Sequence, residues 1–113
     1  MKIYHNPRCS KSRQTLEIIK ENKKEFEIVE YLKDRLSISE LELIIKKLGI
    51  TTVELVRKKE LIWKENYKGK NLSDKEIVRA MIDNPKIMER PIVVNGEEAV
   101  LGRPPENVLK IIN

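Results

Sequence analysis

The spacing of apolar positions changes period several times along the 113 residues, and each change marks an element. Lys2-Ile3-Tyr4-His5 reads as a short strand, ended by the turn signal Asn6-Pro7. A helical spacing follows, with Leu16 and Ile19 apolar, Ile18 beside them, and the helix-tolerant Gln14, Glu17 and Lys20 between. Phe26-Glu27-Ile28-Val29-Glu30-Tyr31 alternates and carries β-branched residues, which predicts a second strand. Strand, helix and strand in so short a stretch imply a parallel pair joined by a helical crossover.

The middle of the chain is helical in pattern. Ser39 and Glu42 fit a capping box, and Leu41, Ile44, Ile45 and Leu48 follow at helical spacing until Gly49, a residue suited to the position just past a helix end. Thr51-Thr52-Val53-Glu54 repeats the cap pattern and predicts a short helix to about Arg57. Lys58 to Leu72 reads as loop with a helical turn near Trp63. Ser73-Asp74-Lys75-Glu76 is a further capping box, leading Ile77, Ala80 and Met81 into a helix that Asn84-Pro85 stops.

The C-terminal part returns to sheet. Ile92-Val93-Val94 and Glu97 to Leu101 flank Asn95-Gly96, the pair that supplies positive φ in a type I′ hairpin turn. Pro104-Pro105-Glu106 opens a last helix, with Val108, Leu109, Ile111 and Ile112 as its apolar side. The expectation is one α/β domain over residues 1–113: a mixed sheet with helices, interrupted by a helical insert at about 37–84.

Composition narrows the function classes. The net charge is +5, but the charges are interspersed, as in Lys23-Lys24-Glu25 and Lys58-Lys59-Glu60, and none of the five aromatics interleaves with a basic run. Nucleic-acid binders gather basic residues into a stripe with stacking aromatics, so no nucleic-acid partner is expected. No stretch approaches the roughly 20 apolar residues that span a bilayer, and Met1-Lys2-Ile3-Tyr4 lacks the apolar run of a signal peptide. One cysteine rules out an internal disulfide framework and suits a reducing compartment. The expectation is a soluble, cytoplasmic monomer without a metal.

That cysteine is the chemical focus. Cys9 sits where strand, turn and helix meet, so the unpaired N–H groups of a helix N-terminus lie nearby. Helix dipole and neighbouring cations both favour a thiolate. Arg8, Lys11 and Arg13 are close in sequence, no acid lies between Lys2 and Thr15, and a protonated His5 would add to the positive field. Ser10 and Ser12 offer hydroxyls. A buried, inert cysteine is the alternative, but so much positive charge is a poor wall for an apolar pocket.

His5-Asn6-Pro7-Arg8-Cys9 with Ser12-Arg13-Gln14-Thr15-Leu16 resembles the opening of the glutaredoxin-coupled arsenate reductase (ArsC) family, which has a thioredoxin-like (glutaredoxin-like) fold with a helical insertion between the second strand and the C-terminal hairpin. Leu55-Val56-Arg57-Lys58, Glu89-Arg90-Pro91-Ile92-Val93-Val94 and Gly102-Arg103-Pro104-Pro105-Glu106 resemble three later blocks of that family, in the same order. The resemblance implies Cys9 as nucleophile and His5 helping to keep it ionised; Ser12, whose hydroxyl can hydrogen-bond the sulfur or a bound anion, is a further catalytic candidate read from the residues themselves. It implies Arg57, Arg90 and Arg103 as oxyanion ligands and a cis Pro91 beside the cysteine. Arg8 and Arg13 would support the local potential. Arsenate is the implied substrate, with glutathione as reducing co-substrate, glutaredoxin as partner and no bound cofactor. Ser10-Lys11 stand where those reductases carry Gly-Thr.

Two other functions fit parts of the pattern. Cys9-Ser10-Lys11-Ser12 has the Cys-x-x-Ser spacing of a monothiol glutaredoxin-like protein. An Spx-like regulatory module binding RNA polymerase would share the fold, but that branch often carries a second cysteine where Ser12 stands, and has no evident use for oxyanion arginines.

Overall fold

The computed structural model describes residues 1–22 and 24–112; Lys23, part of the mixed-charge run Lys23-Lys24-Glu25, and Asn113, the end of the expected domain, lie outside the described residues. The chain forms two compact units, Met1–Asp34 with Arg90–Asn113, and Arg35–Glu89.

The first unit holds the sheet. Strands β1 (Lys2–Tyr4), β2 (Glu27–Val29), β3 (Ile92–Asn95) and β4 (Glu98–Leu101) lie in the order β2-β1-β3-β4. β1 and β2 are parallel, as the crossover through helix α1 (Ser10–Glu21) requires, and the other two pairings are antiparallel. This is the mixed, thioredoxin-like α/β arrangement expected from the element order. The expected strand over Phe26–Tyr31 is shorter, with only Glu27–Val29 in the ladder. β2 is an edge strand, and Ile28 is 43% exposed there.

The core of this unit is Ile3, Ile19, Val93, Val108 and Ile111. α1 buries Ser12, Thr15 and Ile19, so two of its three inward positions are polar. The last helix is a 3₁₀ helix over Pro105–Lys110, not an α-helix. At three residues per turn Pro105, Val108 and Ile111 share a face and are buried, while Leu109, expected on the apolar side, is turned toward solvent. The hairpin turn also differs from expectation. Asn95 pairs with Glu98, so the central residues are Gly96, at φ +63, and Glu97 rather than Asn95-Gly96. Asn95 is held in the strand because its Nδ2 donates to the Ile111 carbonyl at 2.6 Å.

Gly102, just past β4, packs against α1 and the start of β3. Its N–H donates to the Pro91 carbonyl at 2.9 Å. A Cβ here would come within 2.7 Å of Pro91 Cγ and overlap the Thr15 hydroxyl. Gly102→Ala is therefore expected to lower stability by about 1–3 kcal/mol, as overpacking does; an unchanged urea midpoint would contradict this.

The second unit is helical: α2 (Ile38–Leu48), α3 (Leu61–Asn66) and α4 (Asp74–Asp83), with 3₁₀ helices at Thr52–Leu55 and Pro85–Ile87. α2 is capped by Ser37, whose Oγ accepts the Glu40 N–H at 3.1 Å, not by Ser39 as the sequence pattern implied. Ser37 puts buried Leu36 and Leu41 in the two positions of a hydrophobic staple, whereas a cap at Ser39 would use the half-exposed Leu43. Gly49 ends α2 in the left-handed region at φ +69, as expected. The element after Thr51 is a 3₁₀ turn without a side-chain cap, ending at Leu55 because Val56 bridges to Met88. Trp63 is buried in α3 and stacks on Tyr67, centroids 5.5 Å apart. The Ser73–Glu76 capping box forms with both arms. No helix among the described residues is long and apolar enough to cross a membrane.

Candidate active site

Topology gathers the site at one end of the sheet. Tyr4, Ile92 and Leu101 stand in register across β1, β3 and β4. The loop to Cys9, the Arg90-Pro91 segment and the Arg103 loop thus leave the sheet at the same edge.

The Cys9 loop is shaped by Asn6. Its side-chain oxygen accepts the Arg8 N–H at 3.0 Å and its carbonyl accepts the Cys9 N–H at 3.0 Å. This Asx turn delivers Cys9 to the N-cap of α1 in extended conformation, φ −91 and ψ 121. Arg13 Nη1 donates to the Pro7 carbonyl at 2.8 Å and holds the loop from the helix side.

Cys9 is partly buried. Burial alone pushes its thiol up, but the Ser12 N–H, the Arg90 guanidinium and the Lys11 N–H together more than offset that cost and lower the pKa. The sulfur does not close a side-chain cap of standard geometry on the helix, yet the N–H groups of the first turn face it. Arg103 adds another donor, its Nη2 lying 3.6 Å from Sγ. Sulfur among N–H groups and two guanidiniums is an arrangement that stabilises a thiolate and leaves donors for a bound anion.

The arginines are themselves positioned. Arg103 Nε donates to the Arg90 carbonyl at 2.7 Å. Asn107 Nδ2 donates to the carbonyls of Leu101 and Arg103 at 3.1 and 3.0 Å, which fixes the loop carrying Arg103. The Arg90–Pro91 bond is cis, as the resemblance implied, and so is Arg103–Pro104. Asn6 and Asn107 were absent from the sequence-derived site. Asn6-Pro7 carried a readable Asx signal; Asn107 carried only its spacing of four from Arg103.

His5 is buried beside Ser12. Burial lowers its pKa below the ordinary 6.5; Glu30 works the other way, and Arg13 and Lys20 add to the fall. The shift favours the neutral ring over the imidazolium. His5 Nδ1 and Ser12 Oγ instead share a hydrogen bond of 2.5 Å, and Ser12 Oγ also accepts the Asn6 N–H at 3.1 Å. His5 and Ser12 thereby tie the end of β1 to the helix turn that faces Cys9. Ser12→Ala leaves both buried partners without that hydroxyl and is expected to cost about 1–3 kcal/mol of stability. An unaltered thermal midpoint would refute it.

Cys9, His5, Ser12, Arg8, Arg13, Arg90, Pro91 and Arg103 thus all belong to the sheet-bearing unit. Arg57 belongs to the helical unit, where its N–H donates to the Ile87 carbonyl at 2.6 Å and its Nε lies 3.5 Å from Glu60 Oε1. Among the described residues no group of three or more His, Cys, Asp or Glu is placed to hold a metal ion.

Known proteins resemble the chain over nearly its whole length. A sequence profile described as the ArsC family matches residues 4–111. The uncharacterized protein YfgD of Escherichia coli (strain K12) is 51% identical, with 99% of this chain and 96% of that protein covered. A Haemophilus influenzae protein named arsenate reductase is 47% identical, with 97% of each covered. A solved structure titled arsenate reductase from Vibrio cholerae superposes with a TM-score of 0.94 at 41% identity, covering 99% of this chain and 98% of that one.

Proposed function

The chain belongs to the ArsC family, and from that premise we propose that it reduces arsenate to arsenite, with Cys9 as nucleophile and external thiols as reductant. One observation carries the reading: the lone thiol, favoured as thiolate, has the guanidiniums of both Arg90 and Arg103 beside it.

Arsenate is a tetrahedral anion, and planar guanidiniums bind two of its oxygens through parallel hydrogen bonds. The same charges offset the repulsion between thiolate and arsenate. His5 and Ser12 act as positioning residues for the first turn of α1.

The Cys9 thiolate attacks arsenic, one As–O bond breaks, and that oxygen leaves as water after taking up protons. No electrons have moved onto arsenic at this stage. The glutathione thiol then displaces a second oxygen as water, giving a Cys9–S–As–S–glutathione adduct. Attack on the glutathione sulfur by the glutaredoxin thiolate forms a disulfide and leaves the As–S electron pair on arsenic, taking it from As(V) to As(III). Water displaces Cys9 and arsenite departs. Two thiols become one disulfide, which accounts for the two electrons. The chain's only cysteine is Cys9, so both reducing thiols come from outside. The protein works as a monomer in the cytoplasm, where glutathione and glutaredoxin supply them.

The test is a coupled assay with arsenate, glutathione, glutaredoxin, glutathione reductase and NADPH. Arsenate-dependent NADPH oxidation is the expected result. Thiol exchange that ignores arsenate would overturn the reading in favour of a monothiol redox protein.

A further inference from the structure

Thr15 lies one turn beyond Lys11 on α1 and is fully buried. Its Oγ1 donates to the Lys11 carbonyl at 2.8 Å, which uses the one proton a hydroxyl has. Gly102 packs against Oγ1 and Cγ2 from the other side, so the side chain is held in the rotamer that reaches Lys11. A bond to the carbonyl four residues back is the usual way a buried helical threonine satisfies itself, and alone it implies no function. Here the carbonyl that receives it matters.

The Lys11 carbonyl and the Ser12 N–H are the two ends of one planar peptide, and helical geometry points them in opposite directions along the axis. With Cys9 as N-cap, Lys11 and Ser12 are the second and third residues of α1, whose N–H groups have no carbonyl partner within the helix. Against burial, which pushes the Cys9 thiol up, the Ser12 N–H is the largest of the contacts that favour the thiolate. A line of dipoles thus runs from the Thr15 hydroxyl through the Lys11–Ser12 peptide to the sulfur. Hydrogen bonds in such a chain polarise one another, so a bond accepted at the carbonyl makes the N–H of the same peptide a stronger donor.

We propose that Thr15 is a positioning residue for the nucleophile: through the Lys11–Ser12 peptide, its hydroxyl orients and polarises the Ser12 N–H toward the Cys9 sulfur. The hydroxyl touches neither the sulfur nor a bound anion, and its effect reaches the reaction only through the charge on Cys9. This role rests on Cys9 being the nucleophile, but its test needs no arsenate, so the two can fail separately.

The experiment follows Cys9 alkylation by iodoacetamide against pH in wild type, Thr15→Ala and Thr15→Ser, with a thermal melt of each. Alanine and serine both lack the methyl group, and only serine keeps the hydroxyl. Thr15→Ala is expected to raise the midpoint by about 0.3–0.5 pH units, which slows alkylation well below the midpoint about two- to threefold. Thr15→Ser is expected to keep the wild-type midpoint to within about 0.1 unit, whatever either variant loses in the melt. Thr15→Val, which removes the hydroxyl and keeps the bulk, is expected to match Thr15→Ala. Equal midpoints in wild type and Thr15→Ala, or the same rise in Thr15→Ser, would overturn the role of Thr15 and leave the reductase reading standing. A rise in Thr15→Ala alone of that pair, with no arsenate turnover in wild type, would uphold Thr15 and overturn the reductase reading.

Discussion

Cys9→Ser is expected to abolish arsenate-dependent NADPH oxidation in the coupled assay, by a factor on the order of 10³ or more. A serine hydroxyl is far less acidic than a thiol and is not ionised by the N–H groups and guanidiniums that favour the Cys9 thiolate. The oxygen cannot replace sulfur as a ligand that arsenic later releases by redox exchange. The fold is expected to survive, because Cys9 is only partly buried and serine is a good N-cap. Circular dichroism and a thermal melt check that part. Arsenate turnover retained in folded Cys9→Ser would remove the sulfur from the reaction.

Arg103→Ala is expected to lower kcat/KM for arsenate by about 10² to 10³, the usual cost of removing one donor to a developing oxyanion. Arg103 makes two contacts at once: Nη2 faces the sulfur at 3.6 Å, and Nε holds the Arg90 carbonyl at 2.7 Å. Its loss therefore removes one guanidinium and loosens the segment that carries the other. Arg103→Lys should recover only part of the rate, since a single ammonium on a flexible stem does not reproduce the two-pronged contact. Arg90→Ala is expected to act in the same direction. Steady-state kinetics with arsenate varied would decide it, and unchanged kcat/KM in both alanine variants would place these arginines outside the site.

Much of this arrangement was legible along the chain, for reasons that differ by element. The Ser73–Glu76 box and the Gly49 terminator are local, so a few neighbouring residues determine them. The parallel pair and hairpin follow from chain connectivity and strand length. The α2 cap was misplaced because Ser37-x-x-Glu40 and Ser39-x-x-Glu42 fit the same pattern, and only burial of Leu36 and Leu41 separates them. The final helix is predicted without its type: Val108, Leu109, Ile111 and Ile112 mark an apolar side, while the buried set, Pro105, Val108 and Ile111, has the period of three of a 3₁₀ helix.

At the site, the motif around Cys9 was readable because loop, cysteine and helix are contiguous. His5 is a candidate cation by its neighbours in sequence, but burial, which sequence proximity does not report, lowers its pKa. Asn107 was missed because its partners are main-chain carbonyls, which carry no residue signature. The convergence of Arg90 and Arg103 depends on the register Tyr4–Ile92–Leu101, a property of the sheet.

The most direct measurement of the central claim is the rate of Cys9 alkylation by iodoacetamide as a function of pH, in wild type and Arg90→Ala. Cys9 is the only thiol, so the profile reports it alone. A midpoint clearly below the ordinary value of about 8.5, moving upward in Arg90→Ala, is the predicted result. A wild-type midpoint at or above 8.5 would contradict the account, because the sulfur would then be an ordinary thiol beside arginines that do nothing for it.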